Sequence, residues 1–162
     1  MFIFPSLLLS HIQYSLSTNF AIQWRQLLFT TKDLGNYISG AILFEETLYQ
    51  NSSEGKPFVD LLNANGIIPG IKVDSGLKPL CGGGAEETWC SGLDGLLEKC
   101  QKHYAQGARF AKWRTAVRIN VAQGLPSALA VNEAAWGLAR YARICQEAGL
   151  MPIVEPEILI DG

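Results

Sequence analysis

The sequence predicts an α/β fold: a partial (β/α)8 barrel of about four β/α units, forming a half-barrel. Three observations carry this expectation. Apolar runs that read as buried strands alternate with runs of helical periodicity. The strand starts fall near residues 37, 67, 108 and 152, about 30 to 44 residues apart, which is the spacing of β/α units in a parallel sheet. The charged residues of the strand runs gather at their C-terminal ends, where α/β folds place their working groups.

The elements follow in order. Tyr37 to Phe44 is apolar and bounded by Gly35-Asn36 and Glu45-Glu46, so it reads as a strand. Lys56 to Asn65 carries Phe58, Val59, Leu61 and Leu62 at helical spacing, and Gly66 supplies the C-terminal stop. Ile67 to Asp74 is the second strand. Cys81-Gly82-Gly83-Gly84 reads as a flexible loop. It lacks the phosphate-loop pattern, and no strand leads straight into it. Ser91 to Ala105 places Leu93, Leu96, Leu97, Cys100 and Tyr104 on one helical face, with Ser91 and Asp94 as a capping box and Gly107 as the stop. Ala108 to Arg114 is the third strand. A helix over Ser127 to Ala148 follows Pro126, carries Leu138, Tyr141, Ala142 and Cys145 in its stripe, and ends at Gly149. Met151 to Leu159 is the fourth strand. A doubly wound sheet usually finishes with a helix, whereas this sequence stops at Asp161-Gly162 just after a strand. That favours the half-barrel, since a whole barrel takes about 250 residues.

Composition narrows the function classes. A hydrophobic fraction of 48% against 17% charged describes a globular domain rather than a disordered chain. The net charge of −2 provides no basic footprint for nucleic acid and no pull toward an anionic membrane, so neither is expected as a partner. None of the four cysteines, Cys81, Cys90, Cys100 and Cys145, forms a C-x-x-C pair. They read as free thiols of a reduced intracellular protein. His11 and His103 make no ligand cluster with a nearby acidic pair, so no metal site is expected. The apolar stretch Phe2 to Leu9 is too short to span a membrane and is broken by Pro5 and Ser6. No Lys or Arg precedes it, the first basic residue being Arg25, so the segment reads as foreign to the fold rather than as a targeting sequence.

Residues two apart in a strand share a face. Lys72 therefore points with Asp74, Lys112 with Arg114, and Glu155 with Glu157, each pair at a strand end. Lysine and arginine in this setting suit a phosphate ester. A lysine amine is also the nucleophile of carbonyl chemistry, and a carboxylate can move protons. The competing assignment is structural pairing, such as Lys112 with Glu155. Glu45 and Glu46 are assigned to a solvated turn, Trp113 and Trp136 to core or interlayer packing, His103 to the surface, and Ser127 to helix capping.

Several strings resemble the class I fructose-bisphosphate aldolases. They are Trp24-Arg25-Gln26-Leu27-Leu28-Phe29, Gly40 through Gln50, Pro69-Gly70-Ile71-Lys72-Val73-Asp74, Phe110-Ala111-Lys112-Trp113-Arg114, and Pro152 through Leu159. Glu87-Thr88-Trp89-Cys90 through Leu96, and Glu133 through Ala142, resemble the plastid branch of plants and algae. The resemblance covers 24–162, leaving 1–23 as a non-homologous N-terminal segment. It implies a (β/α)8 barrel, a homotetramer, no cofactor and no metal. It also implies reversible cleavage of fructose 1,6-bisphosphate to dihydroxyacetone phosphate and glyceraldehyde 3-phosphate, in glycolysis or the Calvin cycle. Location in the plastid follows from the branch, with the cytoplasm as the alternative. By resemblance Glu155 is the acid/base, Lys112 assists carbinolamine formation and carbon–carbon cleavage, and Glu157 holds the surroundings of the Schiff-base lysine. Lys72, Arg114 and Asp74 are placed on the sugar-phosphate substrate.

The sequence also departs from that pattern. The Ala-Ala-Asp-Glu-Ser run of the family's first strand is missing, and Ala21 and Ile22 stand where an arginine pair is expected. The Schiff-base lysine belongs to the sixth strand, which the resemblance places beyond Gly162. A chain truncated at both ends and inactive alone is therefore expected. Two functional readings stand: an aldolase by family, or a non-catalytic fragment that docks on aldolase subunits.

Overall fold

The computed structural model describes residues 19–160, so the expectations for residues 1–18 and for Asp161-Gly162 lie outside the described residues. Helix α1 spans 19–29, and a 3-10 turn covers Leu34–Asn36. The remaining elements are β1 (Gly40–Leu43), α2 (Glu45–Leu48), α3 (Phe58–Ala64), β2 (Ile68–Lys72), β3 (Leu77–Pro79), β4 (Thr88–Cys90), α4 (Leu96–Gln106), β5 (Phe110–Val117), α5 (Ala128–Glu147) and β6 (Met151–Ile158).

β1, β2, β5 and β6 pair in sequence order into one sheet, and every pairing is parallel. This is the predicted order of consecutive β/α units. β5 shows how the sheet divides the molecule. Ala111, Trp113 and Thr115 are buried, while Lys112, Arg114 and Ala116 between them are only half-buried. Ile71, Val73, Ala111 and Trp113 join Leu138, Tyr141 and Cys145 of α5 and Cys100 of α4 in one core. The opposite face carries Ile42, Ile68, Met151 and Ile153, all exposed. Ile71 and its register partner Ala111 are both fully buried on the helix side.

Two side chains fix the sheet's two layers. On the helix side, Trp113 stacks on Tyr141 with ring centroids 5.3 Å apart. The Tyr141 hydroxyl donates to the carbonyls of Ala111 at 2.6 Å and Ile153 at 3.2 Å, tying α5 to both β5 and β6. On the open side, the Phe110 ring packs against Gly70 of β2 and Gly40 of β1. A Cβ at Gly70 would meet that ring at 2.2 Å, which is why the position holds glycine.

Several boundaries differ from the sequence expectation, each for a local reason. The first strand is shorter at both ends. Tyr37 closes the preceding 3-10 turn through its N–H to Leu34, and the Phe44 carbonyl accepts the Leu48 N–H of α2. The helix expected from Ser91 starts only at Leu96, so the capping box is absent. Ser91 instead gives its N–H and hydroxyl to the Gly76 carbonyl, and Gly95 occupies the N-cap in a left-handed conformation. This contact closes the antiparallel hairpin of β3 and β4, which the sequence reading missed because three-residue strands show no usable alternation. Ser127 caps α5 as expected, accepting the Ala130 N–H at 3.1 Å. Trp113 is core as expected, but Trp136 is not, being 70% exposed on α5.

His103 also departs from expectation: it is 1% exposed rather than on the surface. Its Nδ1 shares a hydrogen bond of 3.1 Å with the Tyr49 hydroxyl. Burial pushes the imidazole below its ordinary pKa, against the opposing pull of Glu45 and with a smaller push from Lys99. The unfolded chain therefore takes up this proton at higher pH than the folded one. Stability is expected to be flat in this term above about pH 6.5 and to fall below it, by at most about 1.4 kcal/mol per pH unit. Urea midpoints at pH 7.5 and 5.5 check this, and His103→Gln is expected to flatten the slope.

Candidate active site

The C-terminal ends of β2, β5 and β6 bring the predicted residues onto the open face. Register sets Lys72 beside Lys112, and Arg114 beside Glu155. Each ion pair instead joins residues offset by two, along β6 from the register partner for Lys112 and Arg114 and along its own chain for Lys72. Lys112 Nζ lies 2.9 Å from Glu155 Oε2, and Arg114 Nη1 lies 2.9 Å from Glu157 Oε2. Lys72 Nζ lies 2.5 Å from Asp74 Oδ1 and also reaches the Asp74 carbonyl. All six residues of the expected site are therefore assembled, as three ion pairs along one rim.

These are the pairings that a purely structural assignment anticipates, so pairing alone does not define a site. Accessibility does. Arg114 and Glu157 are 41% and 38% exposed, and Lys112 is 19% exposed. Ion pairs this open to water contribute only about 0–1 kcal/mol each to folding. A sheet face facing its own core would carry apolar residues at these positions, as the helix side does. A rim of three cations, each paired with a carboxylate, suits an anionic, polyhydroxylated ligand, whose phosphate oxygens can exchange for the accessible carboxylates on the cations.

Asp74 is the exception, with a side chain only 3% exposed. Its Oδ1 also accepts the Gly76 N–H at 3.1 Å, so it ties Lys72 to the base of the hairpin. Cys90 packs there, and burial together with the Asp74 charge pushes its thiol up to about 12, making it inert. Across the hairpin, Glu87 is a buried carboxylate that sequence reasoning did not single out. It accepts the Gly84 N–H at 2.6 Å, the Ser127 N–H at 2.7 Å and the Ser127 hydroxyl at 2.6 Å. Those hydrogen bonds, the Ser127 hydroxyl first, hold its carboxyl below the usual carboxylate range. Glu87 thus fastens the hairpin to the N-terminus of α5, beside the rim. A glutamate pair, Glu86-Glu87, after a glycine-rich loop gives no sequence signal for this.

Glu45 and Glu46 stay out of the rim. Glu45 pairs with Lys99 at 2.7 Å, and Glu46 with Arg25 at 3.1 Å. Among the described residues, no group of three or more His, Cys, Asp or Glu side chains is arranged to hold a metal. No described helix is long and apolar enough to cross a membrane.

Comparison with known proteins bears on the same segment. The family model for fructose-bisphosphate aldolase class-I matches residues 8–162. Chloroplastic fructose-bisphosphate aldolase 3 of Arabidopsis thaliana is 65% identical over 139 residues, covering 86% of this chain and 34% of its own. Chloroplastic aldolase 1 of Pisum sativum is 64% identical, with 86% and 38% covered. Aldolase 1 of Toxoplasma gondii is 63% identical over 141 residues, with 86% and 38% covered. The structure of Plasmodium falciparum aldolase in complex with TRAP and a small molecule inhibitor superimposes with a TM-score of 0.84 at 58% identity, over 87% of this chain and 40% of that one. The chain thus spans about a third of the length of the curated relatives it matches.

Proposed function

This chain belongs to the class I fructose-bisphosphate aldolase family, and from that premise we propose that its rim is the acid/base and phosphate-binding part of an aldolase active site. The reaction is reversible cleavage of fructose 1,6-bisphosphate to dihydroxyacetone phosphate and glyceraldehyde 3-phosphate. The observation that carries the proposal is the set of pairs Lys72–Asp74, Lys112–Glu155 and Arg114–Glu157 on one open face. Glu155 moves the proton of carbon–carbon cleavage, and Lys112, 2.9 Å away, assists carbinolamine formation and carbon–carbon cleavage. Arg114 and Lys72 bind phosphate and hydroxyl groups. Glu157 holds the surroundings of the Schiff-base lysine, and Asp74, paired with Lys72, belongs to the substrate-binding group. The Schiff-base lysine, the electron sink of the reaction, is supplied by the sixth strand of the family's barrel.

Replacing the matching segment of the Arabidopsis chloroplastic relative with residues 24–162 tests this. The chimera is expected to cleave fructose 1,6-bisphosphate at a rate comparable to the parent. A folded, tetrameric chimera without activity would contradict the proposal. Plastid location is proposed from relatives named chloroplastic. The similarly close Toxoplasma relative carries no such name, so a fluorescent fusion of the whole gene product decides between plastid and cytoplasm. Homotetramer assembly is proposed on family membership and is read from the chimera's mass.

A further inference from the structure

We propose that Glu87 is a positioning residue of the substrate site: its carboxylate latches the β3–β4 hairpin to α5, and through the hairpin it fixes Asp74 and thereby the Lys72 ammonium. The role rests on the aldolase reading of the rim, which supplies its kinetic effect. The same latch gives a use to the Cys81-Gly82-Gly83-Gly84 loop.

The hairpin is a two-stranded sheet of its own, beside the four-stranded sheet that carries the rim. Side chains attach it to β5 and α5. Arg118 pairs with Glu86, which is 75% exposed, so water screens that contact. The Thr88 hydroxyl stands 3.5 Å from the Ala116 carbonyl, too far to hold much. Glu87 is 4% exposed, and its two oxygens accept three hydrogen bonds of 2.6 to 2.7 Å. The glycine-rich loop is shaped around this carboxylate. A Cβ at Gly83 would come within 2.9 Å of Glu87 Oε2, and one at Gly84 within 2.3 Å of Leu125. Glu86 holds a φ of 64°, uncommon for a residue with a side chain, just before β4. The loop thus closes on an anion, and the anion belongs to the chain itself.

From Glu87 the chain runs through β4 to Ser91 at the base of the hairpin. The Ser91 carbonyl accepts the Ser75 N–H at 2.8 Å, and the Ser91 N–H donates to the Gly76 carbonyl at 3.0 Å. Gly76 gives its own N–H to Asp74 Oδ1 at 3.1 Å, and the same oxygen holds Lys72 Nζ at 2.5 Å. Asp74 Oδ2 is buried and has no hydrogen-bond partner among the described residues, so the Gly76 amide sets how this carboxyl faces Lys72. The latch needs a carboxylate. Oε1 accepts the Ser127 N–H, while Oε2 accepts the Gly84 N–H and the Ser127 hydroxyl. Both backbone donors are fixed. An amide has a single acceptor oxygen, so glutamine would set an N–H against one of them in either orientation. A buried donor left without its acceptor costs more than the bond itself contributes.

Steady-state kinetics and site-resolved hydrogen exchange of the Arabidopsis chimera carrying Glu87→Gln are the test. KM for fructose 1,6-bisphosphate is expected to rise at least about fivefold, with kcat changed by less than about twofold, because Lys72 binds substrate rather than moving its protons. In a Lys72→Met background the same substitution is expected to leave KM within about twofold, whereas in an Arg114→Met background it keeps its full effect. A merely structural role predicts equal effects in all three backgrounds. That result, or an unchanged KM in an active chimera, overturns the proposal. The Ser75, Gly76 and Ser91 amides are expected to exchange at least about tenfold faster in Glu87→Gln, a readout that needs no catalysis. An inactive unsubstituted chimera would count against the aldolase reading alone. Unchanged exchange at Gly76 would overturn the positioning role in any chimera, active or not. Ser127→Ala keeps the carboxylate and removes one donor. It is expected to speed exchange at the same amides to a smaller degree, so the outcome does not hang on the Glu87 variant folding.

Discussion

Incubated with dihydroxyacetone phosphate and borohydride, the 162-residue chain alone is expected to yield no stoichiometric lysine adduct by mass spectrometry. Reduction traps only an imine, and the imine-forming lysine is proposed to lie on the sixth strand of the family's barrel, outside the four strands of this sheet. The chain does place two lysines on the rim. Their Nζ atoms are engaged by carboxylates, Lys72 by Asp74 and Lys112 by Glu155. Both sit on strands other than the sixth. An adduct on Lys72 or Lys112 would show that position on the barrel does not decide which lysine reacts, and would overturn the assignment of Lys112 to an assisting role.

The largest stability effect is expected at Trp113. It is fully buried between β5 and α5, stacked on Tyr141. Trp113→Ala removes a side chain that the rigid sheet cannot refill, at a cost of about 3–5 kcal/mol. A sheet open on one face has little stability to spare. Loss of the cooperative thermal transition is therefore expected, whereas Trp136→Ala should leave it nearly unchanged. Equal effects at the two tryptophans would contradict the division of the sheet into a packed and an open face.

Much of this architecture was legible in the sequence. The strand order follows from the spacing of the β/α units, and the shared face of Lys112 and Arg114 from alternation, because a period of two leaves no freedom once the strand is identified. What stayed hidden depends on contacts distant in sequence. Trp136 and Trp113 are both large and aromatic within regular elements, and only the position of α5 on the sheet separates them. His103 falls on the apolar side of its helix by spacing, three residues after Cys100 and seven after Leu96, but its polar ring and position near the helix end suggested the surface. Tyr49 supplies the buried partner that the sequence does not show. The hairpin of β3 and β4 is set by Ser75, Gly76 and Ser91 exchanging backbone hydrogen bonds, and composition does not show such pairs. Glu87 gains its role from Ser127, forty residues on. The candidate rim was readable since its charges stand out in apolar strands, while the groups that brace it do not.

Steady-state kinetics of the Arabidopsis chimera carrying Glu155→Gln or Lys112→Met test the central claim most directly. Glutamine keeps the size of Glu155 but cannot move a proton, and methionine keeps the Lys112 stem without its charge. Each is expected to lower kcat by about 10²–10⁴-fold in a chimera of unchanged mass and unfolding temperature. A kcat within about twofold of the unsubstituted chimera in both variants would show that these rim pairs are structural, and would contradict the account.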